Sequence, residues 1–263
     1  MADIKSKDNK FIKLVRQLET KKIRDELSLF VVEGPNLIVE AIKEHAEINV
    51  VLVRENCDGV ESKNLVKHIK DNNIEYFTVD NELFNSIADT KASQGFLGVV
   101  GKKKYSIDSA KENNSFMIVI DKLQDPGNLG TIIRTCDAAG VSCIGIIKGS
   151  GDIYSSKVVR ATAGAIFRVP FVFFENEDQA LQIIRSSGRR ILCTTVSGGK
   201  SYFDEDLKGR IALVIGNEGS GASKELIDNA DQLVTIPMKS DTESLNAAVA
   251  ASIIIYESVR QNM

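Results

Sequence analysis

Ile211-Ala212-Leu213-Val214-Ile215-Gly216-Asn217-Glu218-Gly219-Ser220-Gly221-Ala222-Ser223 is the stretch on which the reading of the fold turns. Five apolar residues bounded by turn formers read as a buried strand. The glycines after it let the backbone turn tightly. Residues 222–229 then read as a helix. A strand, a glycine-rich loop and a helix make one step of an α/β fold, with the loop at the strand's carboxyl end, where open parallel sheets bind ligands.

The same alternation extends on both sides. Strands fit residues 116–120, 142–147, 190–194, 211–215 and 233–236. Helix-like segments fit 129–139, 179–187 and 222–229, and a last helix runs over about 244–260. Regular alternation predicts a mainly parallel sheet covered by helices on both faces. Upstream, helical spacing at residues 11–18 precedes a short strand at 29–33, a helix after Gly34-Pro35 over 36–45, and strands at 50–53, 76–79 and 97–100, with a helix near 64–70. The polar stretch between, without apolar periodicity, marks a boundary. The expected layout is a smaller α/β domain over 1–104, a linker over 105–115 and a second α/β domain over 116–263.

Composition narrows the function classes. Of 263 residues, 43% are hydrophobic and 26% charged, ordinary values for a globular protein. No apolar run approaches the roughly 20 residues that span a bilayer, and none follows the first residues as a signal peptide would. A cytoplasmic location is expected, with no membrane partner. Cys57, Cys136, Cys143 and Cys193 form no C-x-x-C pair and have only His45 and His68 to join them, so no metal site is expected. A net charge of −3 argues against a nucleic-acid coat protein but not against an RNA enzyme, since local patches meet phosphates.

Three loops carry candidate chemistry. Asp125-Pro126-Gly127-Asn128-Leu129-Gly130-Thr131-Ile132-Ile133-Arg134 leads from the strand at 116–120 into a helix, with Asn128 a candidate N-cap and Arg134 within two turns of the start. The loop at Gly216 nearly matches the phosphate-binding pattern G-x-x-x-x-G-K-[ST], but Ala222 stands where the lysine belongs. Glu218 would also repel a polyphosphate, so an uncharged or cationic ligand suits the loop better. The third is Ile236-Pro237-Met238-Lys239-Ser240-Asp241-Thr242-Glu243-Ser244-Leu245-Asn246, where Ser244 and Asn246 gather at a helix start. Taken singly, each also reads as an ordinary capped turn.

Together and in this order, the three segments resemble the signature motifs of the SpoU/TrmH family of RNA 2′-O-methyltransferases. The segment Ser156-Lys157-Val158-Val159-Arg160-Ala161-Thr162-Ala163-Gly164-Ala165 also looks like a family segment, and residues 30–41 are similar to the substrate-binding domain of many members. The resemblance implies a catalytic α/β domain with a C-terminal trefoil knot (the SPOUT fold) behind a smaller ribosomal-protein-like RNA-binding domain. It implies S-adenosylmethionine as cofactor, RNA as substrate, ribosomal RNA ahead of transfer RNA, and a homodimer. Residue by residue, it implies that Thr195, Gly216, Ile236 and Leu245 hold the cofactor. Asn128, Glu218, Ser244 and Asn246 would shape the active site, and Arg134 would activate the ribose hydroxyl or stabilise the developing alkoxide.

Basic residues offer phosphate contacts: Lys10, Lys13, Arg16, Lys21, Lys22 and Arg24 near the N-terminus, with Arg160 and Arg168 further on. A solvated helix face is the competing reading. Two other classes are open: a nucleotide-binding enzyme using the Gly216 loop, and a non-catalytic RNA-binding or ribosome-assembly protein.

Overall fold

The structure is a computed structural model, and it describes residues 3–106, 116–240 and 244–263. Residues 107–115 of the expected linker, and Asp241, Thr242 and Glu243 of the third loop, lie outside the described residues.

In chain order the elements are β1 (Asp3–Ile4), α1 (Lys10–Gln17), α2 (Lys21–Leu27), β2 (Leu29–Glu33), α3 (Pro35–Lys43), β3 (Ile48–Arg54), α4 (Val60–Asp71), β4 (Tyr76–Val79), α5 (Asn81–Asn85), β5 (Phe96–Gly101), β6 (Met117–Ile120), α6 (Pro126–Ala138), β7 (Cys143–Ile147), α7 (Ser156–Ala161), β8 (Phe171–Phe174), α8 (Glu177–Ser186), β9 (Arg190–Thr194), β10 (Lys200–Ser201), β11 (Ile211–Ile215), α9 (Lys224–Asp228), β12 (Gln232–Thr235) and α10 (Ala247–Gln261). They form two compact units, Met1–Lys103 with Asp152–Phe167, and Lys104–Gly151 with Arg168–Met263.

The first unit holds a mixed sheet in the order β1-β4-β3-β5-β2. Strands β1, β4 and β3 are parallel, and β5 runs antiparallel to β3 and β2. Helix α1 begins where the Asn9 side chain accepts from the Phe11 N–H. It buries Ile12 and Val15, with Leu18 beyond its end, against Val50, Leu52 and Leu97 of the sheet. Its lysines, Lys10 and Lys13, stay exposed, as an amphipathic helix requires.

Residues 152–167 depart from the expected unbroken second domain, because side chains tie them to the first unit. Arg24 donates from Nε (3.2 Å) and Nη2 (2.5 Å) to Asp152. The Tyr154 ring lies 5.0 Å from that of Phe30, with the Lys102 ammonium 4.6 Å from the Tyr154 centroid. Arg160, on α7, is paired with Asp89.

The second unit is built on an all-parallel sheet in the order β10-β12-β9-β11-β6-β7-β8. Every residue of β6, β7 and β11 is buried, so helices cover both faces, which explains why these strands read as continuous apolar runs. On one face Met117, Val119 and Val214 pack with Leu181 and Ile184 of α8 and Leu226 of α9. Helix α10 packs against α6, where the Thr135 and Ser252 hydroxyls meet at 3.1 Å. The chain therefore leaves β12, near one edge of the sheet, and returns to α6, which follows the inner strand β6. This return crossing is the one a knotted C-terminus needs. Strand β8, at the edge opposite β10, was not expected from the sequence. It is only four residues long, follows Pro170 and leaves Phe173 exposed.

Candidate active site

The site forms where β9, β11 and β12 end. Residues after all three strands, with the start of α10, line a cleft of about 670 Å³.

The Gly216 loop owes its shape to close backbone approach. A Cβ on Gly216 would lie 2.0 Å from the Ala222 nitrogen, so only glycine fits. Asn217 and Gly221 exchange backbone hydrogen bonds at 2.9 and 3.0 Å. The Asn217 side chain accepts from the Gly219 and Ser220 N–H groups and donates to the Lys122 carbonyl. Sequence reasoning passed over Asn217, although an Asn two residues before a glycine is a common signal for such a side-chain turn.

A directional relay joins the three candidate loops. Asn246 caps α10: its Oδ1 accepts from Ala248 N (3.0 Å) and Val249 N (3.2 Å). Its Nδ2 must then face the other way, and donates to Asn128 Oδ1 at 2.8 Å. Asn128 Nδ2 in turn donates to Glu218 Oε1 at 3.1 Å. The Glu218 carboxylate also accepts from the backbone N–H of Asp125 (3.0 Å) and Gln124 (3.4 Å). Partial burial pushes the Glu218 pKa up, but N–H donors from its own backbone, Asp125, Asn128 and Gln124 outweigh it and hold the pKa below the ordinary value.

Two expectations change here. Asn128 is not the N-cap of α6; Asp125 is, accepting from the Asn128 N–H at 2.8 Å, and Asn128 sits buried in the first turn. Helix α10 starts at Ala247, so Ser244 precedes the cap instead of opening the helix.

Thr195, Gly216, Glu218, Ile236, Ser244, Leu245 and Asn246 all line the cleft, as do Val196, Asn217 and Met238, which sequence reasoning did not single out. Asn128 reaches it through the relay. Arg134 does not line it: the side chain is exposed on α6 and has no hydrogen-bond or ion-pair partner among the described residues.

The basic candidates fare unevenly. Lys13 and Lys22 are exposed, and Arg16 donates to the Ser86 hydroxyl. Arg168 is paired with Asp137 and Arg160 with Asp89. Arg24 is corrected from a surface contact to a buried structural residue. It is 7% exposed, and besides Asp152 its Nη1 serves the Leu18 and Glu19 carbonyls. Burial pushes the Cys193 thiol up to about 12, which keeps it protonated and unreactive. Among the described residues no cluster of His, Cys, Asp or Glu could hold a metal ion, and no helix is long and apolar enough to cross a membrane.

The profile of the SpoU rRNA Methylase family matches residues 115–256, more than half of the chain. The chain belongs to the SpoU rRNA methylase family. An MRM3-like substrate binding domain matches residues 9–98 of this SpoU methylase. It is 29% identical over 256 residues to the 23S rRNA (guanosine(2553)-2′-O)-methyltransferase RlmP of Bacillus subtilis, covering 97% of this chain and 98% of that protein. The AdoMet-bound rRNA methyltransferase from Sinorhizobium meliloti superposes with a TM-score of 0.88 at 28% identity, covering 100% of this chain and 98% of the other. The SpoU methyltransferase AviRb from Streptomyces viridochromogenes, in complex with AdoMet, gives 0.84 at 26% identity, covering 97% and 99%. The fold class is that of these SPOUT enzymes, and the cofactor is S-adenosylmethionine. The cleft suits it. Glu218 is the one charged side chain among the described lining residues, which favours a cationic sulfonium over a polyphosphate, while Ile236 and Leu245 offer apolar surface to an adenine ring.

Proposed function

We propose that this SpoU methylase transfers a methyl group to a ribose 2′-hydroxyl of ribosomal RNA. The observation that carries the proposal is the cleft at the ends of β9, β11 and β12, closed by the Asn246–Asn128–Glu218 relay, with an acid as its one described charge. The likeness to the RlmP relative along nearly the whole length of both chains supports ribosomal RNA as the target class.

When bound, S-adenosylmethionine supplies a methyl group already activated by its sulfonium. The chain's own task is alignment and proton handling. The turn at Gly216 and the side chains of Ile236 and Leu245 hold the cofactor, with Thr195 at the margin. The relay fixes the Gln124–Asn128 loop against the Gly216 loop, so the reacting groups meet in a set geometry; such alignment is worth roughly 7–11 kcal/mol in favourable cases. Ser244 and Asn246 shape the entrance beside the start of α10. A guanidinium, delocalised and firmly protonated, is a poor base. The role of Arg134 is to bind the adjacent phosphate and stabilise the developing alkoxide.

Arg134 lies outside the cleft of its own chain. Together with half-exposed Val249 and Tyr256 on the neighbouring α10, this favours a homodimer in which sites form near the interface. Lys13, Arg16 and Lys22 contact RNA phosphates, and the cytoplasm is the expected location.

Arg134→Ala tests the assignment. It should abolish methyl transfer and leave S-adenosylmethionine binding, read by calorimetry, nearly unchanged. Loss of cofactor binding in a folded variant would refute the role. Ribose-methylation mapping of total RNA with and without the gene identifies the nucleotide, and a lost mark in transfer RNA alone would overturn the ribosomal target.

A further inference from the structure

The first unit contains a second cavity, of about 420 Å³, that plays no part in cofactor binding. Leu18, Val31, Ile87 and Leu97 give it an apolar floor, and Asp89, Ser155 and Arg160 stand at its polar side. Its size falls within the roughly 300–1,000 Å³ of small-ligand sites.

The polar groups are held but not saturated. Asp89 is held by the Arg160 Nη1 on its Oδ2 and by a hydrogen bond from the Ser156 side chain, which together still leave carboxylate lone pairs available. Arg160 makes its bond to Asp89 with one of its five N–H donors. Ser155 occupies the N-cap position of α7, yet its hydroxyl makes no cap bond and has no other partner among the described residues. A serine at a cap usually satisfies the helix N–H groups. Here the hydroxyl remains free beside the cavity.

We propose that this cavity binds one unstacked guanine of the RNA, making the first unit a reader of sequence as well as of phosphate charge. This rests on the reading of the chain as an RNA methyltransferase. An apolar floor suits the flat face of a base, and single-stranded bases are read by their edges. Of the four bases, guanine alone presents a ring N–H and an amino group side by side, which a carboxylate such as Asp89 accepts together. Its O6 and N7 suit the spare donors of Arg160. Ser155 serves either edge.

The test uses the full chain, isotopically labelled and titrated in turn with the four ribonucleoside 5′-monophosphates, with amide shifts followed by NMR. The expected result is saturable shifts at Leu18, Ala88 and Ser155 with guanosine monophosphate, at least tenfold tighter than with the uridine compound. Ser155→Phe, which fills the cavity, and Asp89→Ala, which removes the acceptor, should each weaken binding about tenfold. Affinity for S-adenosylmethionine, measured on the same samples, should not move. Equal response to all four nucleotides, shifts confined to other residues, or full binding by both variants would overturn the proposal. Failure of the wild-type chain to bind S-adenosylmethionine would sink the methyltransferase reading instead, and the nucleotide titration would still decide the cavity.

Discussion

Asn246→Asp changes one NH2 group to an oxygen and little else in shape, which makes it a sharp probe of the relay. The cap survives, because a carboxylate oxygen accepts from Ala248 N and Val249 N as the amide oxygen does. A negative charge at the start of a helix even stabilises it, by about 0.3–1 kcal/mol. The cost arises on the other side. The donor to Asn128 Oδ1 at 2.8 Å is lost, and two acceptors face each other. Leaving a buried acceptor unsatisfied costs about 1–3 kcal/mol. Asn128 cannot escape by flipping its amide, since its oxygen would then face the Glu218 carboxylate, 3.1 Å from the present nitrogen. The net loss is about 1–2 kcal/mol, a fall in Tm of about 2–6 °C at this size. Thermal unfolding and S-adenosylmethionine calorimetry read it, and cofactor affinity should fall as the third loop loses its tie. In the background of Asn128→Ala the same change should cost nothing, because the opposing oxygen is gone. An unchanged Tm and affinity in the single variant, or an equal loss in both backgrounds, would refute the relay.

Gly216→Ala should destabilise by at least about 3 kcal/mol and abolish cofactor binding, since the added Cβ meets backbone that no rotamer can clear; calorimetry and circular dichroism check it. Asp152→Ala should cost about 3–5 kcal/mol in denaturant unfolding by stranding the Arg24 guanidinium, whose side chain is 8% exposed, while cofactor affinity holds. The lowered pKa of Glu218 means that its contribution to stability is fully present above the ordinary glutamate value of 4.5 and is lost as pH falls through the lowered one. The Tm gap between the wild type and Glu218→Gln should therefore be constant near neutrality and narrow below pH 4.5.

The alternation of apolar strands and amphipathic helices was legible because it is a local property. β11 occupies Ile211–Ile215 and β9 Arg190–Thr194, the expected spans. The glycine loop was legible too, since a tight turn demands particular residue types. The shortest elements escaped: β1 and β10, at two residues each, offer too few positions for a period to emerge. Residues such as Asn128 and Arg24 were misplaced because a polar side chain looks the same in the sequence whether it caps a helix, faces water or is buried against a partner. The partner of Arg24 lies 128 residues away.

The sequence by itself determined the class of the fold, the order of the three loops and the likeness to the SpoU family, because backbone preference and residue type act within a few positions. Only the tertiary structure decided the strand order β10-β12-β9-β11-β6-β7-β8, the transfer of residues 152–167 to the first unit and the sense of the Asn246–Asn128–Glu218 relay. Each of these depends on contacts between distant parts of the chain, where burial and hydrogen-bond direction, not local propensity, select the arrangement.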